Sequence, residues 1–218
     1  MLKILRFTSV RLFLSAESAL YIWFLLLDLF GADSRYVKYA AIVLCFLFVL
    51  YLALRGGDRL MAAALGLTVA ADTFLLLLEE LYALGVALFL LVQVLYLFRI
   101  RRDTGRQTHL YLRLALLSVA LCLAYLLASF TPLHILAAVY FSVFLGNVIE
   151  CPRGGLFFWG LLLFLCCDIC VGIRNAPALF PVRWERFAHI GMWLFYLPGQ
   201  VLLVLSGMTV SFQERSTT

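Results

Sequence analysis

Charge is what this chain has least of. Only 13% of its 218 residues are Asp, Glu, Lys or Arg, against 65% that are apolar; a soluble domain carries about 25% charged residues. That deficit excludes a water-soluble globule. Linkers and low-complexity stretches are also missing, so nothing divides residues 1–218 into more than one integral membrane domain. Histidine occurs three times, with no HExxH pair. Of the six cysteines, Cys167 and Cys170 have CxxC spacing but no second pair or neighbouring histidine completes a zinc set. Neither a metal site nor a cofactor is expected. The N-terminal run behind Lys3, Arg6 and Arg11 is too long for a signal peptide and lacks a small-residue cleavage site, which reads as a retained helix.

What is present is hydrophobic length. A helix needs about 20 apolar residues to cross the hydrocarbon core, and eight such segments fit, at about 12–31, 36–54, 59–78, 81–98, 110–129, 132–149, 154–173 and 188–210. The runs are leucine-rich and do not alternate, which favours helices over a barrel. The expected fold is an all-α polytopic transmembrane bundle. Twelve of the seventeen basic residues collect at the ends facing the same side as the N-terminus, which places both termini in the cytoplasm. The net charge of +5 needs no nucleic-acid partner, because "RIRRDTGR" is a short loop beside anionic headgroups. The expected location is a membrane spanned many times, the plasma membrane if the chain is bacterial.

Against this background two carboxylates stand out, Asp72 in "LTVAADTFLLLL" and Asp168 in "LLLFLCCDICVGI". An ionised side chain in hydrocarbon costs roughly 2.5–3.5 kcal/mol on the mildest scale, so it faces the bundle interior or water. Asp72 lies 13 residues past Arg59 and Asp168 lies 14 past Gly154, which predicts matched depth and a shared internal cavity. Three helices carry polar stripes at helical spacing: Gly85, Phe89, Gln93 and Tyr96; Gly160, Phe164, Asp168 and Gly172; and Trp193, Tyr196 and Gln200. Small and polar residues on one face also serve plain helix packing.

The succession "GLTVAADTFLLLL", "ALGVALFLLVQVLY", "AAVYFSVFLGNV", "GGLFFWGLLLFLCCD" and "WLFYLPGQVLL" resembles the YhhN-like lysoplasmalogenase family of eight-helix membrane proteins, over about residues 36–208. Asp72, Gly85, Phe89, Tyr96, Tyr140, Phe164, Asp168, Tyr196 and Gln200 fall in the family's order, and Lys38 matches a lysine at the start of its second helix. The chain departs from the pattern at Ala71, where the family has glycine, at Cys167, where it has serine, at Tyr39, where it has proline, and at Gln93, where it has histidine. Glutamine hydrogen-bonds but exchanges no proton near neutral pH, which leaves a divergent hydrolase or a relative without the activity.

The resemblance implies hydrolysis of the vinyl ether of a lysoplasmalogen, a single-chain lysophospholipid, to a fatty aldehyde and a glycerophospho-headgroup. Such chemistry needs a proton donor and a group that activates water; Asp72 and Asp168 are the candidates. Lys38, Gln93, Tyr96, Tyr140, Tyr196 and Gln200 are expected to orient water or hold the polar part of the lipid, with Phe89 and Trp193 lining its chain. The alternatives are a non-enzymatic lipid-binding or proton-coupled carrier and a structural subunit.

Overall fold

Backbone buried in hydrocarbon must pair its own N–H and C=O groups, and this chain does so through helices. The computed structural model describes residues 2–127, 131–175 and 181–208. Among the described residues there are eight helices and no strand: α1 Leu2–Leu29, α2 Arg35–Leu54, α3 Arg59–Asp72 continuing into a π-helical segment Thr73–Leu78, α4 Tyr82–Thr104, α5 Leu110–Leu127, α6 Pro132–Glu150, α7 Leu156–Asn175 and α8 Val182–Ser206. Seven are long and apolar enough to span a membrane, and the apolar stretch of α5, Leu110–Leu126, is shorter. The protein is a multi-pass integral membrane protein. Its outer face carries exposed Leu12, Trp23, Leu47, Leu91, Phe98 and Leu194, as a surface solvated by lipid should.

The helices match the apolar segments, but their ends do not coincide. Helix α1 starts ten residues early and α4 runs on to Thr104, because Lys, Arg and Glu are good helix formers and hydropathy marks the hydrocarbon, not the helix. Gly105, at φ 63°, ends α4 in the left-handed region where a side chain is disfavoured. The expected ends at residues 129 and 210 lie outside the described residues.

Proline and glycine decide how the helices meet. Pro132 opens α6 behind the N-cap Thr131, whose hydroxyl accepts from the His134 amide. Pro198, inside α8, brings no N–H to the carbonyl four residues back. That carbonyl, of Leu194, instead accepts from the Tyr21 hydroxyl at 3.0 Å, which ties α1 to α8. Helices α7 and α8 approach through glycine: a Cβ on Gly199 would lie 3.2 Å from the Gly160 carbonyl oxygen, and one on Gly160 would lie 2.8 Å from Leu203 Cγ and 3.0 Å from its backbone nitrogen. Gly160→Ala is therefore expected to push the pair apart and cost about 1–3 kcal/mol, seen as a lower unfolding midpoint in detergent.

At the end of the bundle near the α2–α3 turn, charge takes over from packing. Asp58 caps α3 by accepting from the Leu60 amide at 3.0 Å. It also accepts from Arg102 at 2.7 Å and lies 3.2 Å from Arg99 Nε. Arg99 donates to Ser206 Oγ at 2.8 Å and to the Ser206 carbonyl at 2.9 Å, so one guanidinium joins α3, α4 and α8. Burial pushes the Asp58 carboxyl up, but the Arg102 hydrogen bonds, the two guanidinium charges and the Leu60 amide outweigh it and hold the group below the ordinary carboxylate value.

Candidate active site

Asp72 is the last residue of α3 before the backbone widens into the π-helical segment, a rare form that is found frequently at functional sites. The segment is held from two sides. Thr73 Oγ1 donates to the Val69 carbonyl at 2.9 Å and meets the Tyr39 hydroxyl at 3.0 Å. Leu75 fills the space that a side chain at Gly85 would need, since a Cβ there would come within 2.5 Å of Leu75 Cγ. The glycine of the α4 stripe thus admits the distorted end of α3.

Each aspartate has its own tyrosine. The Tyr196 hydroxyl on α8 donates to Asp72 Oδ2 at 2.6 Å, and the Tyr140 hydroxyl on α6 donates to Asp168 Oδ2 on α7. Asp72 and Tyr196 are buried, Asp168 and Tyr140 partly so. In both carboxyls Oδ2 is engaged, and among the described residues no hydrogen bond reaches Oδ1. Among the described residues no hydrogen bond joins Asp72 to Asp168. Cys167 lies within electrostatic reach of both carboxyls.

An aromatic bridge connects the two pairs. Tyr196 meets Phe164 at 5.5 Å between ring centroids, Phe164 meets Phe144 at 5.1 Å and Phe89 at 5.7 Å, and Tyr140 meets Phe144 at 6.0 Å and Phe89 at 6.3 Å. Through these contacts a continuous set of rings runs from one tyrosine to the other. The surface clefts at Leu50–Ala62 and Ile100–Glu150 lie elsewhere, lined by neither aspartate.

The other residues singled out from the sequence fall into two groups. Lys38 and Trp193 sit together: the Lys38 ammonium is 4.9 Å from the Trp193 ring centroid and 5.6 Å from that of Phe24, and Trp193 meets Tyr196 edge-on at 5.3 Å. Lys38 also pairs with Asp28 on α1 at 2.8 Å, and Asp28 accepts from Ser34 as well. Gln93, Tyr96 and Gln200 form the second group. All three are buried, and among the described residues Gln93 Nε2, the Tyr96 hydroxyl and both polar atoms of the Gln200 amide have no hydrogen-bond partner.

Asp28, Glu17, Asn147 and Arg113 were not among the site residues expected from the sequence. Asp28 partners Lys38, and Glu17 accepts from Cys45 Sγ at 3.3 Å, its second oxygen having no partner among the described residues. Asn147 donates to the Gln93 carbonyl at 2.8 Å and to Gln93 Oε1 at 3.1 Å, and itself accepts from Arg113 at 3.0 Å. The signal for Asn147 was available, a carboxamide inside the apolar run "VFLGNVI", and the cost of burying a polar group in hydrocarbon would have flagged it.

No curated protein and no solved structure matches the chain. The YhhN family model does match it, over residues 34–207, from the Ser34 that bonds Asp28 to the Gly207 that follows α8, and so takes in both aspartates with their tyrosines. The chain belongs to the YhhN family.

Proposed function

We propose that the chain hydrolyses the vinyl ether bond of a lysoplasmalogen, with Asp72 and Asp168 as acid and base. The observation that carries this reading is the pair of tyrosine-held carboxyls inside an apolar bundle of this family. Because Tyr196 and Tyr140 occupy the Oδ2 atoms, the Oδ1 atoms are left for the substrate. One aspartic acid gives its proton to the outer carbon of the vinyl ether, and the ether oxygen shares the resulting positive charge as an oxocarbenium ion. The other, as carboxylate, takes a proton from the water that attacks the inner carbon. The hemiacetal then collapses: its hydroxyl proton leaves, the ether oxygen is protonated, and a fatty aldehyde and a glycerophospho-headgroup separate.

The remaining residues have supporting parts. Phe89 and Trp193 line the chain of the lipid, and Tyr96 and Gln200 supply hydrogen bonds to its polar part or to water. Lys38, paired with Asp28, guards the end of the bundle where α1 turns into α2. Purified protein in detergent should release aldehyde from a lysoplasmalogen and none from the saturated alkyl-ether analogue, whose carbon cannot be protonated. Protein that is inert on vinyl ethers yet moves protons across liposomes would make the chain a carrier. Gln93→His should keep or raise aldehyde release, since imidazole hydrogen-bonds like the amide and adds a group titrating near neutrality; a loss of more than tenfold in kcat would count against the family's histidine being equivalent to Gln93.

A further inference from the structure

An amide can turn over, exchanging donor for acceptor, unless its neighbours forbid it. Here they forbid it twice. Arg113 on α5 has only donors to offer; its Nη2 lies 3.0 Å from Asn147 and 2.6 Å from Glu150, and its Nη1 lies 3.3 Å from the Val143 carbonyl. The Asn147 atom facing that guanidinium must be Oδ1, which leaves Nδ2 to donate. Nδ2 gives its hydrogens to the Gln93 backbone carbonyl and to the Gln93 side chain. Only oxygen can receive them, so Oε1 is spent and Nε2 is the free end of Gln93. That end is fully buried and has no hydrogen-bond partner among the described residues.

We propose that Arg113 and Asn147 hold Gln93 so that Nε2 donates a hydrogen bond to the ether oxygen of a bound single-chain ether lipid. The proposal rests on the hydrolase reading for its ligand. Gln93 lies eleven residues into α4, about 16 Å, and the two aspartates lie about 10 Å from the same end of the bundle on α3 and α7. Side chains lean toward the N-terminus of their own helix. Since α4 runs opposite to α3 and α7, Gln93 and the carboxyls lean toward one another and narrow that gap. The Tyr96 hydroxyl, on the same face of α4, is a second buried group without a partner among the described residues.

The chemistry limits what this donor does. It favours an ether oxygen that still has its lone pairs and disfavours the oxocarbenium ion, in which that oxygen is positive. It is therefore a specificity contact acting on binding, and Asn147 is a positioning residue. A histidine at this position would accept from Asn147 on one ring nitrogen and carry its proton on the other, which offers the ligand the same polarity.

Two unreactive ligands test the relay: a saturated 1-O-alkyl lysophospholipid, and the same molecule with a methylene in place of the ether oxygen, each titrated onto purified protein in detergent. Wild type should prefer the ether about tenfold, the scale set by leaving one buried donor unpaired. Asn147→Asp still accepts from Arg113 but cannot donate, so Gln93 turns over, Oε1 faces the ligand and the preference falls to about one or reverses. Arg113→Lys, also a donor-only cation, should keep it, and Gln93→Met, which needs no relay to fold, should lose it. A purely structural Asn147 would change the unfolding midpoint and leave the affinity ratio alone. An unchanged ratio in Asn147→Asp or Gln93→Met, a wild-type ratio near one, or binding of neither ligand overturns the proposal. Turnover is not needed: a tenfold ratio without aldehyde release sinks only the hydrolase reading, and aldehyde release with a ratio of one sinks only the relay.

Discussion

Asp72→Asn and Asp168→Asn are each expected to lower kcat for aldehyde release by about 10²–10⁴-fold, the range that general acid–base groups contribute. Asparagine keeps the size of the side chain and an oxygen for the tyrosine hydroxyl, so the bonds from Tyr196 and Tyr140 and the folded bundle should survive. What it cannot supply is a proton for the vinyl carbon or a negative charge for water. The double variant should be little worse than either single one, because two groups that act on one transition state lose their joint effect at the first removal. Steady-state rates on a lysoplasmalogen, alongside unfolding midpoints, check this; full activity in both single variants excludes a mechanism through the carboxyls.

The largest effect on stability is expected from Asp58→Ala. The Asp58 side chain is fully buried and that of Arg99 is 3% exposed, so the substitution leaves a buried guanidinium with Asp103 at 3.4 Å as its remaining counter-charge. Breaking a buried pair from one side costs about 3–5 kcal/mol. The exposed pair of Asp33 with Arg35 supplies the contrast, since solvent screens it and Asp33→Ala should move the midpoint little. The sign of the pH dependence follows from the depressed Asp58 group. Its contribution is present in full above the ordinary carboxyl value of about 3.9 and is lost as pH falls through the lower folded value. Unfolding midpoints in detergent should separate wild type from Asp58→Ala by the same margin at pH 7 and pH 5, and by less below about pH 4.

How much of this was legible in the sequence depends on which force set each feature. The spans were, because hydropathy over about 20 residues is itself the driving force for insertion. Helix ends were not, because Lys3, Arg6, Arg99 and Arg102 continue a helix outside hydrocarbon as well as leucine does inside it. Asp72 and Asp168 were conspicuous by the cost of their burial, but their partners were not. Tyr140 and Tyr196 are 28 and 124 residues away from their aspartates, and nothing local to either residue says which hydroxyl will arrive. The partner of Lys38 was equally hidden, because Asp28, ten residues earlier on α1, pairs with it only after the turn at Gly31 brings α2 back along α1. The π-helical segment after Asp72 had no sequence signal at all, although Leu75 within it packs over Gly85.

Carbon protonation by a buried carboxyl leaves a mark on the product, and that mark is the most direct test. Hydrolysis of a lysoplasmalogen by the wild-type protein in D₂O, with the aldehyde trapped at once and weighed by mass spectrometry, should yield aldehyde carrying one deuterium on the carbon next to the carbonyl, because the exchangeable carboxyl delivers a solvent-derived deuteron there. Aldehyde without deuterium at that carbon, or no aldehyde at all, would contradict the account.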